Sequence, residues 1–295
     1  MKRYSKKDLV GLLYLSPWIV GFLIFTLYPF VMTFFYSFTD FSITKSPIFT
    51  GLSNYIYMFT KDNLFKVSLI NTIEYVLMTV PLKLAFALFV AILVNRKING
   101  VNIFRTVYYL PSIFGGSVTV SIIWRFLFMD NGIVNKFLSY FHIHGPSWLG
   151  NPHISLFTIS LLSVWEFGSS MVIFLAALKQ VPNELYEASM IDGAKKIRRF
   201  FSITLPMISP VLLFNLVMQT ILAFQEFTGP YVITGGGPMN STYVYSILIY
   251  DNAFKYFRMG YSSALSWILF LLILLITIII FRSSNTWVYY EDGGK

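Results

Sequence analysis

Long apolar runs set the pattern of this chain, and short polar segments separate them. Residues 9–39 carry no charged side chain. Residues 71–94 form a second run, with Glu74 and Lys83 inside it, and residues 104–128 a third, with Arg125 near its far end. The fourth, 154–178, is interrupted only by Glu166; the fifth, 205–227, is uncharged until Glu226; the sixth, 261–281, stops at Arg282. A helix rises about 1.5 Å per residue, so about twenty apolar residues cross a hydrocarbon core of about 30 Å. Each run is long enough, and the pattern predicts an all-α membrane protein of six transmembrane helices. Residues 227–250 are also uncharged, but "TGGGPMNST" breaks them and predicts an outer loop with a short interfacial segment. Pro17 and Pro29 predict kinks in the first helix.

Charge then orients the helices. With both termini inside, the inner segments hold Lys2, Arg3, Lys6, Lys7, Arg96, Lys97, Arg105, Lys179, Lys195, Lys196, Arg198, Arg199, Arg282 and Lys295. The outer loops hold Lys45, Lys61, Lys66, Lys136, Lys255 and Arg258. This excess of inner bases predicts cytoplasmic N- and C-termini. "MKRYSKK" has the look of a signal-peptide opening, but the apolar run after it is far too long and lacks a small-residue cleavage site. It reads as an uncleaved first span.

Composition agrees with the pattern. Hydrophobic residues make up 56% and charged ones 12%, against about a quarter charged in soluble domains. The net charge of +9 sits in short loops and forms no basic domain, so it argues for membrane orientation and against nucleic acid. There is no cysteine, hence no disulfide framework or thiolate zinc site. The three histidines, His142, His144 and His153, lie in one outer loop without a carboxylate cluster at ligand spacing, so no metal site is expected. No cofactor is expected either: Gly235–Gly236–Gly237–Pro238 lacks the Gly-Lys-Ser/Thr of a phosphate loop and reads as a turn. An intramembrane enzyme would need a nucleophile–base pair or a metal cluster within the spans, and no HExxH or GxSxG occurs.

The densest charge lies between the fourth and fifth spans, in "ELYEASMIDGAKKIRRF", residues 184–200. Pro182 can open a helix there, Glu184 and Glu187 follow near its start, and Lys195, Lys196, Arg198 and Arg199 come near its end. That order complements the helix dipole. Gly193 marks a bend or a close backbone approach, and the small Ala188 and Ser189 let another surface come near. A solvated basic loop is the plain alternative. The spacing of Glu187-Ala188-Ser189, Gly193, Ile203 and Leu205-Pro206, however, resembles the EAA signature of ABC importer permeases, with Ser189 where a third small residue is usually Ala. "LSPWIVGFLIFTLYPF", "FTGLSNY", "FRTVYYLPS", "TGGGPMNST" and "GYSSALSW" are similar to blocks of the sugar-class permeases of the maltose-transporter type, along nearly the whole chain.

That resemblance implies a type I importer fold in the bacterial cytoplasmic membrane. Residues 1–66 would be a cytoplasmic tail, first helix and outer loop; 67–285 the transmembrane core, with a coupling helix near 183–200; and 286–295 a cytoplasmic tail. Glu187, Ala188, Ser189, Asp192, Gly193, Leu205 and Pro206 would form the contact with a partner ATPase. The implied partners are a second homologous permease, two cytoplasmic ABC ATPase subunits, an extracytoplasmic solute-binding protein, a sugar and the lipid bilayer. The chain itself would not be an enzyme, because ATP hydrolysis belongs to the partner and no Walker-type sequence occurs here. A passive channel is the rival without need of a docking helix.

Ionisable groups inside a membrane face a cavity or a partner. Alignment to the family places Gln225 and Glu226 among its sugar contacts, with Gln219 seven residues, nearly two turns, before Glu226. Glu166 and Ser169 fall in the matching region of the fourth span. The alternative is that Glu166 and Glu226 are structural and pair with Arg125 or another subunit. Glu74 and Lys83 stand nine residues apart, on opposite helix faces, so the deep Lys83 is expected to face a partner carboxylate or water, in a structural ion pair rather than a substrate contact. A neutral oligosaccharide is the expected solute, since two carboxylates near the site repel anions; glycerol-3-phosphate or a polyol phosphate is the runner-up.

Overall fold

The structure, a computed structural model, describes residues 6–96 and 100–290. Lys2, Arg3, Lys97 and Lys295 of the charge count lie outside the described residues. Helix α1 (Lys6–Phe22) runs through a π-helical turn, Leu23–Leu27, into α2 (Tyr28–Tyr36). Strands β1 (Thr39–Ser42) and β2 (Lys45–Phe49) and helices α3 (Ser53–Thr60) and α4 (Asn63–Val94) follow. Next come α5 (Val101–Phe114), α6 (Val118–Phe128), α7 (Ile133–Tyr140), α8 (Ser155–Trp165) and α9 (Gly168–Gln180). Then α10 (Asn183–Ile191), α11 (Lys196–Arg199), a π turn (Phe200–Thr204), α12 (Leu205–Met207) and α13 (Ser209–Phe224). The chain ends through α14 (Thr228–Ile233), α15 (Tyr245–Tyr250), a third π turn (Asp251–Lys255) and α16 (Met259–Ser284).

Two of the π turns have one cause. Pro29 and Pro206 sit at the openings of α2 and α12, directly after them. A proline inside a helix cannot donate to the carbonyl four residues back and crowds it. A wider turn around that carbonyl relieves both, so the kink expected at Pro29 takes this form.

Four helices are long and apolar enough to cross a membrane: Leu13–Tyr36, Asn63–Val94, Ser209–Ile233 and Met259–Ser284. Two further pairs pass the same test but are bent, Val101–Phe114 with Val118–Tyr140 by 102° and Ser155–Trp165 with Gly168–Gln180 by 48°, so the total reaches six if each pair is one span. The third and fourth apolar runs are therefore not the single straight helices their composition suggests. The first breaks where Gly115 and Gly116 adjoin and Gly116 takes φ +71°; the second breaks at Glu166 and Phe167.

The chain forms two compact units. One joins residues up to Asp62 with Ile249–Phe270. Its β1–β2 hairpin pairs Thr39 with Phe49 and Asp40 with Ile48, and a bulge follows Asp40. A two-stranded sheet is all edge, which is where Pro47 in β2 is tolerated. Asn54 Nδ2 donates to the Ser37 and Thr39 carbonyls at 2.9 and 3.0 Å and ties α3 to the hairpin. Phe30 and Phe34 pack on Trp267 with ring centroids 4.6 and 4.7 Å apart. No residue of the π turn or of α2 is buried.

The other unit, Asn63–Leu248 with residues from Leu271 on, is built around α4. Positions 65, 68, 71, 72, 75, 76, 79, 80, 83, 84, 87, 88, 90, 91 and 94 of α4 are buried, a face at helical period that packs on α8, α9 and α13. Glu74 lies on the exposed side and Lys83 on the buried one, as their spacing requires. Asn71 Nδ2 donates to the carbonyls of Asn240 (2.7 Å) and Tyr243 (3.1 Å), and Tyr245 N–H donates to Thr72 Oγ1 at 2.8 Å. These bonds hold the Gly-rich turn, in which Gly235 and Gly236 have positive φ. An Asn71→Ala variant leaves both carbonyls without this donor. It is expected to lose about 1–3 kcal/mol of stability, read as a lower midpoint of thermal unfolding in detergent.

Candidate functional site

The site is a cavity of about 420 Å³ at the breaks of three helical segments. Helix α4 contributes Thr79 and Lys83, one turn apart on its buried face. The α5–α6 elbow contributes Ser112, Gly115 and Gly116; α8, α9 and the break between them contribute Ser163, Glu166 and Ser169; α13 and the turn after it contribute Gln219, Gln225, Glu226 and Thr228. All five residues expected from sequence to meet a solute, Glu166, Ser169, Gln219, Gln225 and Glu226, line this one cavity.

Each break is held by a side chain. Gly116 N–H donates to Glu166 Oε1 at 3.1 Å, so the carboxylate at one helix break closes the elbow of the other. Ser112 Oγ donates to the Glu166 carbonyl at 3.0 Å and accepts from Ser169 N–H at 2.9 Å. Both breaks are thereby stapled through groups that the interrupted helices left unpaired. The approach is close: a Cβ at Gly115 would fall 2.7 Å from Glu166 Cδ, and one at Gly168 would strike the Tyr108 carbonyl. Ser117 Oγ caps α6 by accepting from Val120 N–H at 3.2 Å.

Glu226 does not share a helix with Gln219, contrary to the spacing argument. Helix α13 ends at Phe224, and Gln225 has turned to φ −97°, ψ 2°. Glu226 Oε1 accepts from Gly229 N–H at 2.9 Å, a cap for the short α14, which competes with continuing α13. Glu226 still reaches the cavity, by way of the turn rather than along a helix face.

The alternative in which Glu166 and Glu226 pair with Arg125 is not seen: among the described residues neither carboxylate has a cation within 4.0 Å, and neither Arg125 nor Lys83 has a carboxylate within that distance. Lys83 instead lines the cavity beside both carboxylates. Tyr75 OH meets Ser163 Oγ at 2.7 Å behind the cavity wall. The elbow had a visible sequence signal, the Gly115-Gly116 pair before Ser117. Thr79, Ser112 and Ser163 had none, since small hydroxyls are common in apolar helices.

At the charged segment, α10 and α11 are separate helices. Between them Gly193 takes φ +74°, with open space where a side chain would stand. Glu187, Ala188, Asp192 and Gly193 are exposed and Ser189 is half-buried, its Oγ donating to the Tyr186 carbonyl at 2.8 Å. Tyr186 OH meets Thr204 Oγ1 at 2.9 Å, which ties α10 to the π turn before Leu205 and Pro206. Ile191 and Ile197 are exposed at 88% and 75%, an apolar tip with no cover among the described residues.

Irregular backbone is tolerated inside a membrane only where protein buries it or it lines a cavity. Apolar helices broken around a polar cavity therefore define a membrane protein that handles a polar solute. Comparison with known proteins agrees. Residues 68–288 match the family described as binding-protein-dependent transport system inner membrane component. The chain is 47% identical over 290 residues to the probable ABC transporter permease protein YesP of Bacillus subtilis, covering 97% of this chain and 94% of that one. It is 32% identical over 288 residues to the arabinooligosaccharides transport system permease protein AraP of the same species, covering 96% and 90%. A chain in the crystal structure of a bacterial alginate ABC transporter, in complex with an alginate pentasaccharide-bound periplasmic protein, shares the fold. There the TM-score is 0.82 at 21% identity, over 95% of this chain and 96% of that one. This chain belongs to the binding-protein-dependent transport system inner membrane components, and it is a permease subunit of an ABC importer.

Proposed function

We propose that this permease carries a neutral oligosaccharide or disaccharide through the cavity described above, powered by ATP hydrolysis in a partner. The observation that carries the reading is the convergence of Glu166, Ser169, Gln219, Gln225 and Glu226 on one cavity. Carboxylates and amides suit the many hydroxyls of a sugar, and the volume falls in the range of small-molecule sites, about 300–1,000 Å³. The arabinooligosaccharide system named for the relative supports the sugar class. In this reading six spans place both termini in the cytoplasm. The path forms with a second, homologous permease, two ABC ATPase subunits bind inside, and a solute-binding protein delivers outside.

Coupling runs through Glu187, Ala188, Ser189, Asp192 and Gly193, with Leu205 and Pro206 at the root of the segment. The exposed Ile191 and Ile197 flank the Gly193 turn, as a surface seated in a cleft requires. Closure of the ATPase pair would move this segment and bias the cavity between outward and inward access.

The test is solute-stimulated ATPase activity of the assembled complex in lipid, screened over neutral and anionic saccharides and glycerol-3-phosphate. Gly193→Val puts a β-branched residue at φ +74°, a strain of about 1–3 kcal/mol. It and Glu187→Ala are expected to bring stimulated ATPase down to the unstimulated rate while the complex still assembles. Full stimulation in both variants would remove this segment from the coupling role. Solute flux without the ATPase would make the protein a channel.

A further inference from the structure

Lys83 has no place in the function as described so far. It is 9% exposed, sits deep in α4, and lines the cavity beside Glu166 and Glu226. A structural ion pair would bring its ammonium to about 2.7–2.9 Å from a carboxylate oxygen. Among the described residues Lys83 has no carboxylate within 4.0 Å and no hydrogen bond. Each carboxylate already has one oxygen engaged by the backbone, Glu166 with Gly116 N–H and Glu226 with Gly229 N–H. All three charged groups thus line one cavity without pairing with one another. One turn before Lys83 on the same face, Thr79 is also buried and lines the cavity. An ammonium left unpaired on a cavity wall is a donor for something that enters.

Counting charges says what that is. Two carboxylates alone make the cavity strongly repulsive to anions and attractive to cations. The ammonium cancels one of them and repels cations in turn. In a confined site of low dielectric such balances weigh far more than in water.

We propose that Lys83 is a specificity-determining contact of the translocated solute, donating to its hydroxyls and balancing Glu166 and Glu226 so that the cavity takes uncharged polyhydroxy solutes. This rests on the reading that the cavity holds the solute. Lysine suits the task better than arginine, because its compact ammonium offers three donors without the planar fork that matches a carboxylate.

The test is uptake of tracer-labelled neutral, uronic-acid and amino-sugar di- and trisaccharides into proteoliposomes holding the complete complex. Lys83→Gln is expected to raise the half-saturating concentration of the neutral solute at least tenfold, with the maximal rate changed less than twofold. The double variant Lys83→Gln/Glu226→Gln restores the net charge and is expected to recover part of that loss, which a packing role for Lys83 would not produce. An unshifted half-saturating concentration in Lys83→Gln overturns this inference alone, as does simple addition of the two losses. Wild-type uptake of only a charged saccharide overturns it too, and leaves the carrier reading standing without its neutral solute. Wild-type uptake of no saccharide overturns the proposed function and this inference with it.

Discussion

Replacing Gly168 with leucine is expected to leave no folded permease to recover from the membrane. The residue opens α9 at the break opposite the α5–α6 elbow, and its backbone lies against α5. A Cβ there would meet the Tyr108 carbonyl and come within 2.8 Å of both Ser112 Oγ and Tyr109 Cα. Two of those atoms are backbone and cannot swing aside, and the third is the hydroxyl that ties α5 to the α8–α9 break. Overpacking typically costs about 1–3 kcal/mol per site, and leucine adds three more carbons than the alanine that already clashes. Gly168→Ala is the graded version. At about 2–4 °C per kcal/mol for a chain of this size, its unfolding midpoint in detergent should fall by several degrees. Wild-type stability in Gly168→Leu would mean that the two breaks do not pack as described.

The second large effect concerns Glu166, where alanine and glutamine should separate. Alanine removes the acceptor for Gly116 N–H and leaves the elbow unheld. A hydrogen bond to a charged group contributes about 1.5–3 kcal/mol, and every 1.4 kcal/mol is tenfold in an equilibrium. Uptake by Glu166→Ala is therefore expected to fall at least tenfold, together with a lower unfolding midpoint. Glutamine keeps an oxygen for Gly116 and loses only the charge, so its midpoint should stay near that of the wild type. Its uptake deficit then reports on the solute alone, as a raised half-saturating concentration. Equal destabilisation by both substitutions would show that the charge, and not the acceptor, holds the elbow.

The spans were legible in the chain because hydropathy is a sum over residues and needs no knowledge of direction. Direction is what it misses. Residues 104–128 score as one span whether the helix is straight or folded by 102°, and only the Gly115-Gly116 pair marks the difference. The cavity-lining Glu and Gln residues were legible for the same reason that they are rare: a Glu or Gln in an apolar run has few places to go. Lys83 was legible as a deep cation but not as a cavity residue, because the sequence gives no distance to Glu166 or Glu226 across three segments. Glu226 shows the opposite error. Helical spacing put it on the Gln219 face, but the cap it offers to Gly229 ends the helix first. The β1–β2 hairpin left no trace in the pattern, since "TDFS" and "KSPIF" are too short to alternate and most of their residues are exposed.

The first apolar helix carries a consequence of its own. The span Leu13–Tyr36 has no buried share among the described residues. The family match, too, begins only at residue 68. The span's aliphatic side chains answer to the lipid alone, a demand that leucine, isoleucine and valine satisfy interchangeably, whereas Phe30 and Phe34 answer to Trp267 as well. Related permeases are thus expected to trade one aliphatic side chain for another along this span while keeping the aromatic positions that meet Trp267.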